Sequence, residues 1–351
     1  MPSRTRPLLV GYYGEHNLGD DALLDVLLRQ LPEGCSATVT ARDQGLVQTR
    51  FGVSTVDRRR LAAVLLALGR CDALVLGGGS LLQDATSFAS LGYYALLIGA
   101  AWLQGKPVLL WAQGLGPLRR RRSRRLVAGL LALTRTCSWR DPQSAQLARS
   151  LGWRPQPDQP GEGIGSDPVW AIPRRPWQGR GGPIVLCWRP VPQLQGGGWS
   201  PWLAALEQLA PERAILWLPF HAGQDRGLLA RLGEAGLLSA SLRARSRELQ
   251  VERPAEAMEV AAGAGLVLAM RLHGLILAAL AGAPSAALSY DPKVAAAATA
   301  LGCVCVGLDQ PPPTDLLLRW RACLDHPPLD QRIERLARAS DAHRAVIAGL
   351  G

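Results

Sequence analysis

Between Leu266 and Val294 the chain sets a short apolar run, Leu266 to Met270, before an Ala/Leu-rich segment, Gly274 to Ala281, and a second apolar run, Ser285 to Ser289. A continuous apolar run of this length suits a strand buried on both faces, and the segment behind it reads as a buried helix, so the stretch is a β-α-β unit. Two polar residues interrupt it. Arg271 and His273 stand two apart at the expected strand end, where they project to one side, beside the unpaired N–H groups of a helix starting near Gly274. The second strand leads into Tyr290-Asp291-Pro292-Lys293, and the β-α-β order returns Lys293 to the same sheet edge as His273. Lys293 and Lys106 are the only lysines in a chain rich in arginine.

At 351 residues the chain exceeds what one hydrophobic core usually serves, so two domains are expected. The cysteines (35, 71, 137, 187, 303, 305 and 323) are scattered, odd in number and without a Cys-x-x-Cys pair, which predicts free thiols in a reducing compartment. The apolar run behind Arg4 and Arg6 stops at Val10, too short for a signal-peptide core. No apolar run unbroken by polar residues reaches the roughly 18 residues of a membrane span, so the expected location is cytoplasmic.

A formal net charge of +11 calls for anionic partners. It is concentrated in Arg119, Arg120, Arg121, Arg122, Arg124 and Arg125, followed directly by the apolar Leu126 to Leu133. Such a run is either a solvated helix start or a peripheral contact with anionic membrane at the inner face of the plasma membrane. Nucleic acid is disfavoured, because no helix-turn-helix, zinc-finger or RRM pattern accompanies the charge.

The same strand-then-glycine pattern recurs upstream. Leu8 to Val10 predicts a strand running into a loop with Gly14, Asn17 and Asp20, then a helix from Ala22 to Leu31; Asp20 can cap that helix while Asn17 bonds a ligand or the loop. Ala73 to Leu76 runs into Gly77-Gly78-Gly79-Ser80, Val108 to Trp111 into Gln113-Gly114, and Thr136 to Trp139 into Arg140-Asp141. In an open parallel sheet these strand ends form the ligand edge. Arg140 either clamps an anion there or pairs with Asp141 or another carboxylate. From Gly152 to Pro183 proline and glycine are dense and periodicity fails, which places the first domain at residues 1–168 with a linker at about 152–183, and the second at 184–351. In the second, Ala214 to Pro219 is a strand ending at Phe220-His221, and Gln331 to Leu350 is an amphipathic closing helix with Ile333, Leu336, Ala337 and Ile347 on one face. His221 is a candidate site residue, although a lone histidine is more often structural.

Six motifs in order then carry a resemblance: Gly11-Tyr-Tyr-Gly14 with Asn17-Leu-Gly-Asp-Asp-Ala-Leu-Leu24, Gly77-Gly-Gly-Ser-Leu-Leu-Gln-Asp84, Gln113-Gly-Leu-Gly-Pro117, Trp139-Arg-Asp141, Arg271-Leu-His273 and Tyr290-Asp-Pro-Lys293. Together they resemble the polysaccharide pyruvyl transferases, most closely the branch called CsaB. The resemblance implies an α/β fold of two Rossmann-like β-α-β domains facing across a cleft, GT-B-like. It also implies phosphoenolpyruvate as donor and co-substrate, and a sugar with two neighbouring hydroxyls as acceptor, joined as a cyclic ketal with release of phosphate. By position, the family's donor contacts fall on Arg140, Arg271 and Lys293, and its acid/base on His273. Gly14, Asn17, Asp20, Gly78, Gly79, Ser80, Gln113 and His221 are candidate loop contacts. Trp139 and the arginine run have no counterpart in the family pattern.

The residue types fit that chemistry. Phosphoenolpyruvate carries a carboxylate and a phosphate, which arginine's planar fork binds bidentately, and its enol carbon must gain a proton that histidine can supply at neutral pH. The scheme needs no metal and no cofactor, and no His/Asp/Glu cluster suggests one. The acceptor implied is a lipid-linked or polymeric glycan, of the N-acetylmannosamine type. The rival readings are a GT-B glycosyltransferase using a nucleotide sugar, with Glu256 and Glu259 near the ribose, and a non-catalytic membrane scaffold.

Overall fold

The computed structural model describes residues 5–85, 87–155 and 163–350. The chain divides into two compact units: unit 1 takes Met1–Glu15, Asp20–Ala171 and Leu336–Gly351, and unit 2 takes His16–Gly19 and Ile172–Arg335.

Unit 1 is built on strands β1 (Pro7–Tyr13), β2 (Thr38–Ala41), β3 (Ser54–Asp57), β4 (Ala73–Leu76), β5 (Val108–Gln113) and β6 (Thr136–Trp139). They form one parallel sheet in the order β3-β2-β1-β4-β5-β6. Unit 2 carries β7 (Ile184–Cys187), β8 (Ile215–Trp217), β9 (Ser246–Glu248), β10 (Leu266–Ala269), β11 (Ser285–Ser289) and β12 (Val304–Gly307). Its order, β12-β11-β10-β7-β8-β9, is the same arrangement read from the opposite edge. Both are doubly wound Rossmann-type sheets with helices between successive strands. Each reverses its strand order once, between β1 and β4 and between β7 and β10, and at that reversal an open parallel sheet leaves a crevice beyond its carboxyl ends.

The apolar runs became the central strands because helices cover both faces: β4, β5, β7, β10 and β11 are buried along their whole length. The edge strands β3 and β9 were not anticipated. They are three or four residues long, polar and half-exposed, so they carry no hydrophobic signature. Unit 1 packs Leu8, Val10, Leu76, Tyr94, Ile98 and Leu110 into one core, whereas unit 2 fills its core with tryptophan: Trp188 stacks on Trp199 at 5.6 Å and meets Trp217 edge-on at 5.6 Å. Trp139 is a core residue too, fully buried edge-on to Trp153. All of the cysteines are free thiols, and burial pushes those of Cys137 and Cys303 up to about 12.

The closing segment differs from expectation in shape and in place. It is a helix over Asp330–Ser340, a 3-10 turn at Asp341–His343 and a second helix over Arg344–Ala348, and from Leu336 onward it belongs to unit 1. The cause is His343, which is fully buried: its Nδ1 lies 2.9 Å from Ser138 Oγ and its Nε2 2.7 Å from the Ser166 carbonyl. The Cβ of any larger residue at Gly165 would fall 2.6 Å from that Nε2. Burial pushes the imidazole down to about 4, so it is neutral at neutral pH. The chain passes to unit 2 after Ala171, behind a buried turn at Pro168–Ala171; residues 156–162 of the expected linker lie outside the described residues.

Candidate active site

Four strand ends of unit 2 deliver the polar residues of its carboxyl edge. After β10, Arg271 occupies the N-cap of the helix Leu272–Leu280 without a side-chain cap bond, and His273 lies in that helix's first turn. The helix therefore starts two residues earlier than the sequence suggested, so His273 is a helix residue rather than a strand-end residue. Gly274 explains how close the helix comes: a Cβ there would lie 3.0 Å from the Cβ of Cys187 on β7. A helix start without a side-chain cap leaves N–H donors and positive dipole for an anion. The next helix, Pro292–Leu301, differs, since the Asp291 carboxylate already accepts the Lys293 N–H at 2.9 Å. Lys293 is thus placed in a capped first turn after β11, half-buried.

Arg271 is not a loose side chain. Its Nε donates to Asp225 Oδ2 at 3.0 Å and its Nη2 to Asp225 Oδ1, with a further bond to Gln224 Oε1 at 3.0 Å. The Asp225 carboxylate is wholly buried and also accepts the Phe220 and His221 N–H groups, at 3.1 and 2.8 Å. A buried bidentate pair fixes the guanidinium plane. Asp225 and Gln224 were missed in the sequence, where Gln-Asp four residues past a strand end reads as an ordinary polar turn. His221 is the N-cap of the short helix Ala222–Asp225, its Nδ1 accepting the Gly223 N–H at 3.1 Å. That bond places the proton of its neutral form on Nε2.

The segment His16–Gly19 belongs to the same unit. Leu18 N–H donates to the Phe220 carbonyl at 2.9 Å, Ala222 N–H to the His16 carbonyl at 2.9 Å, and Asn17 bridges to His221 in antiparallel fashion. Asn17, not Asp20, caps the helix Leu18–Gln30, through Oδ1 and the Gly19 N–H at 3.1 Å; Asp20 falls inside the first turn. Gly19 has a second task. A Cβ built on it would lie 2.1 Å from Nδ1 of His273, so the imidazole seats directly on this glycine.

The carboxyl edge of unit 1 is built mostly from backbone. Gly14 has φ +69 and lies against the backbone of Asp43, while the Tyr13 ring folds over Gly11 and Gly77, leaving no room for a Cβ at either. Gly78 packs on Leu23, and Gly79, at φ +106, bridges to Gln113. Gln113 is fully buried and its amide nitrogen donates to the carbonyls of Leu76, Gly77 and Trp111, so it braces the end of β4. Arg140 is buried in the same edge. Its guanidinium rests on Gly114, donates to Ser80 Oγ at 3.2 Å and reaches Asp167 Oδ2 at 3.5 Å. Gly14, Gly78, Gly79, Ser80, Gln113 and Arg140 therefore form one packed edge, and Asn17, His221, Arg271, His273 and Lys293 gather in unit 2.

The arginine run forms the entry and first turns of the helix Arg121–Ala132. Asp84 fixes its approach by accepting the Arg119 and Arg120 N–H groups, at 2.8 and 2.9 Å, and the Arg122 guanidinium covers the Phe88 ring at 4.2 Å. Arg119 to Arg122 and Arg125 are exposed. Among the described residues no group of three or more His, Cys, Asp or Glu is arranged to hold a metal, and no helix is long and apolar enough to cross a membrane.

Solved structures share this architecture over nearly the whole chain. The putative UDP-N-acetylglucosamine 2-epimerase of Listeria monocytogenes is similar with a TM-score of 0.64 at 12% identity, covering 99% of this chain and 96% of that one. S. aureus MnaA in a co-structure with UDP gives 0.61 at 12%, covering 97% and 92%, and Acinetobacter baumannii MurG gives 0.54 at 15%, covering 99% of each. At such identities the likeness establishes the fold, which is of the GT-B type. No functionally curated protein matches the chain in sequence. The family model for polysaccharide pyruvyl transferase, in contrast, matches residues 17–292, a span that runs from Asn17 to the first turn behind Asp291 and takes in Arg271 and His273, and by that match the chain belongs to the polysaccharide pyruvyl transferase family.

Proposed function

We propose that the protein moves the pyruvyl group of phosphoenolpyruvate onto two hydroxyls of a cell-surface glycan precursor and releases phosphate. The observation that carries this reading is the Arg271–His273 element: a guanidinium locked by Asp225 at a helix start without a side-chain cap, with an imidazole one turn-position further on and seated on Gly19. A fixed fork, a helix start with its positive dipole end and a proton carrier are what an enol phosphate bearing a carboxylate requires. Lys293 is the second cation of unit 2 in this reading.

In the first step one sugar hydroxyl adds to C2 while C3 takes a proton from His273, which turns the methylene into a methyl group, and the hydroxyl's own proton passes to a phosphate oxygen, so that the group later leaves as hydrogen phosphate. The second hydroxyl then displaces phosphate at C2, its proton passing to the histidine, so the imidazole ends protonated as it began. Arg271 and Lys293 offset the charge on the carboxylate and on the departing phosphate. The nucleotide-sugar reading finds its two carboxylates engaged: Glu256 pairs with Arg253 and accepts the Glu252 and Arg253 N–H groups, and Glu259 pairs with Arg175 at 3.0 Å.

The acceptor proposed is a lipid-linked, N-acetylmannosamine-type precursor at the inner face of the plasma membrane, with the exposed arginines of the run, Arg119 to Arg122 and Arg125, as its peripheral contact with anionic headgroups. The test is phosphate release from phosphoenolpyruvate with a panel of lipid-linked and free acceptors. Acceptor-dependent phosphate, with a pyruvate-minus-water mass gain on the sugar, is the expected result; no release and no donor binding would sink the reading.

A further inference from the structure

We infer that Arg189, beyond the carboxyl end of β7, is a second substrate-binding guanidinium of unit 2 and grips the same small anionic donor as Arg271. The inference rests on the reading above, in which the donor carries both a carboxylate and a phosphate.

Placement comes first. β7 and β10 are neighbours at the reversal of strand order, with Cys187 in register with Ala269. Arg189 follows Cys187 by two residues and Arg271 follows Ala269 by two, so the sheet presents two arginines at matched positions on either side of its crevice. One neutral atom joins them. Gln224 Oε1 accepts from Arg189 Nη2 at 2.9 Å and from Arg271 Nη2 at 3.0 Å, which keeps the two nitrogens within about 6 Å of each other.

Their charges are handled differently. Arg271 is balanced by the buried Asp225. Arg189 has only neutral partners: Nη1 donates to the Tyr290 hydroxyl at 2.9 Å, the guanidinium lies 5.0 Å from the Tyr290 ring centre, and Nη2 bonds Gln224. Its Nε is buried without an acceptor, and among the described residues no carboxylate pairs with it. Of five N–H donors only two are engaged. Two guanidiniums held on one amide oxygen repel each other, and a buried donor without an acceptor loses its hydration. An anion lying across them removes both penalties, and the planar fork of Arg189 still has donors to give it. Tyr290 and Gln224 are then positioning residues: the ring supports the guanidinium face and the amide sets the spacing.

The experiment is isothermal titration of the full chain and of Arg189→Met with phosphoenolpyruvate, each paired with a thermal melt, and with inorganic phosphate and pyruvate as probes of the donor's two ends. Loss of a charge-assisted bond predicts donor binding about tenfold to a hundredfold weaker in Arg189→Met, with the melting temperature little changed. Arg189→Lys, which keeps the charge and loses the fork, falls about tenfold and serves if the methionine variant does not fold. Weakened phosphate binding would assign Arg189 to the phosphate end, and weakened pyruvate binding to the carboxylate end; either supports the inference. Wild-type affinity in both variants overturns it and leaves the proposed function standing, because Arg189 then only ties β7 to Tyr290. Wild-type protein that does not bind phosphoenolpyruvate at all overturns the proposed function and this inference together.

Discussion

In unit 1 the strand ends beside the order reversal are finished in glycine and neutral amide: Tyr13 folds over Gly11 and Gly77, and Gln113 ties the end of β4. In unit 2 the corresponding ends carry Arg189, Arg271 and His273, with Asp225 locking one guanidinium. One strand order thus supports two kinds of edge. The first is built mostly from backbone, with one guanidinium, Arg140, held by Ser80 and Asp167, and the second carries its charge on side chains whose orientation is fixed. Where a charged ligand must be held, rigid cations at a helix start do more than backbone alone, because they bring both dipole and full charge to one place.

Glycines sharpen that contrast most, because they serve opposite ends in the two units. His273→Ala should lower kcat by about 10²- to 10⁴-fold while titration with phosphoenolpyruvate still shows binding. Gly19→Ala should act in the same direction, since its methyl would sit 2.1 Å from Nδ1 of His273, and the imidazole must leave its seat. Alanine is the better helix residue by about 1 kcal/mol, so the melting temperature should not fall. Gly11→Ala in unit 1 should do the reverse. Its Cβ would meet the Tyr13 ring at 2.4 Å inside the core, so stability drops while kcat per folded molecule holds. If Gly19→Ala retains full kcat, the imidazole is not held where the proposed proton transfer needs it.

Asp225 breaks the comparison from the other side. Asp225→Asn leaves Arg271 nearly buried without a counter-charge, and about 3 kcal/mol of stability should go with it, read as a shift in the urea midpoint. Unit 1 offers the control in Asp167→Asn, whose partner Arg140 is held at a longer 3.5 Å and keeps Ser80. The loss there should be smaller.

Much of this was legible in the sequence because parallel strands covered on both faces announce themselves as apolar runs. β4, β6 and β11 begin and end where the pattern placed them. The motifs also placed Arg271 and His273 at the right edge. What escaped had no pattern to show. The polar edge strands β3 and β9 are defined by a single neighbour, and Asp225 gains its role only through an arginine 46 residues away. Gly19 looked like a turn glycine because the imidazole above it arrives from a distant helix. His343 was read as one more residue of an amphipathic helix, since nothing local says that Ser138 and Ser166 wait for it.

That histidine belongs to unit 1 alone and makes its packed edge sensitive to acid. The folded imidazole sits at about 4 and the unfolded one near 6.5, so between those values the unfolded chain binds the proton more readily. Stability from this group is complete above pH 6.5 and is lost as pH falls through 4, by about 3 kcal/mol in all. Urea midpoints measured from pH 7 to pH 4 should decline accordingly. His343→Asn, already weaker at neutral pH, should lose this part of the decline; an unchanged pH profile would show that His343 is not buried neutral.

The smallest effect concerns arginines at helix starts, which both units have. In unit 2 the cation at the N-cap, Arg271, is held by a buried carboxylate, so it is tolerated against the helix dipole. In unit 1 the helix Arg121–Ala132 begins with exposed arginines and no side-chain cap, and Asp84 accepts the backbone N–H groups of Arg119 and Arg120. Positive charge there opposes the dipole, so Arg121→Glu should stabilise unit 1 by about 0.5 kcal/mol at low salt. Arg122 is a poorer choice because it also covers Phe88. If the run has been kept for anionic headgroups, the same substitution weakens sedimentation with phosphatidylglycerol vesicles, by about 1 kcal/mol for each arginine removed, and the loss fades as salt rises. A gain in stability with no change in vesicle binding would make the run a solvated helix start and leave the membrane contact without support.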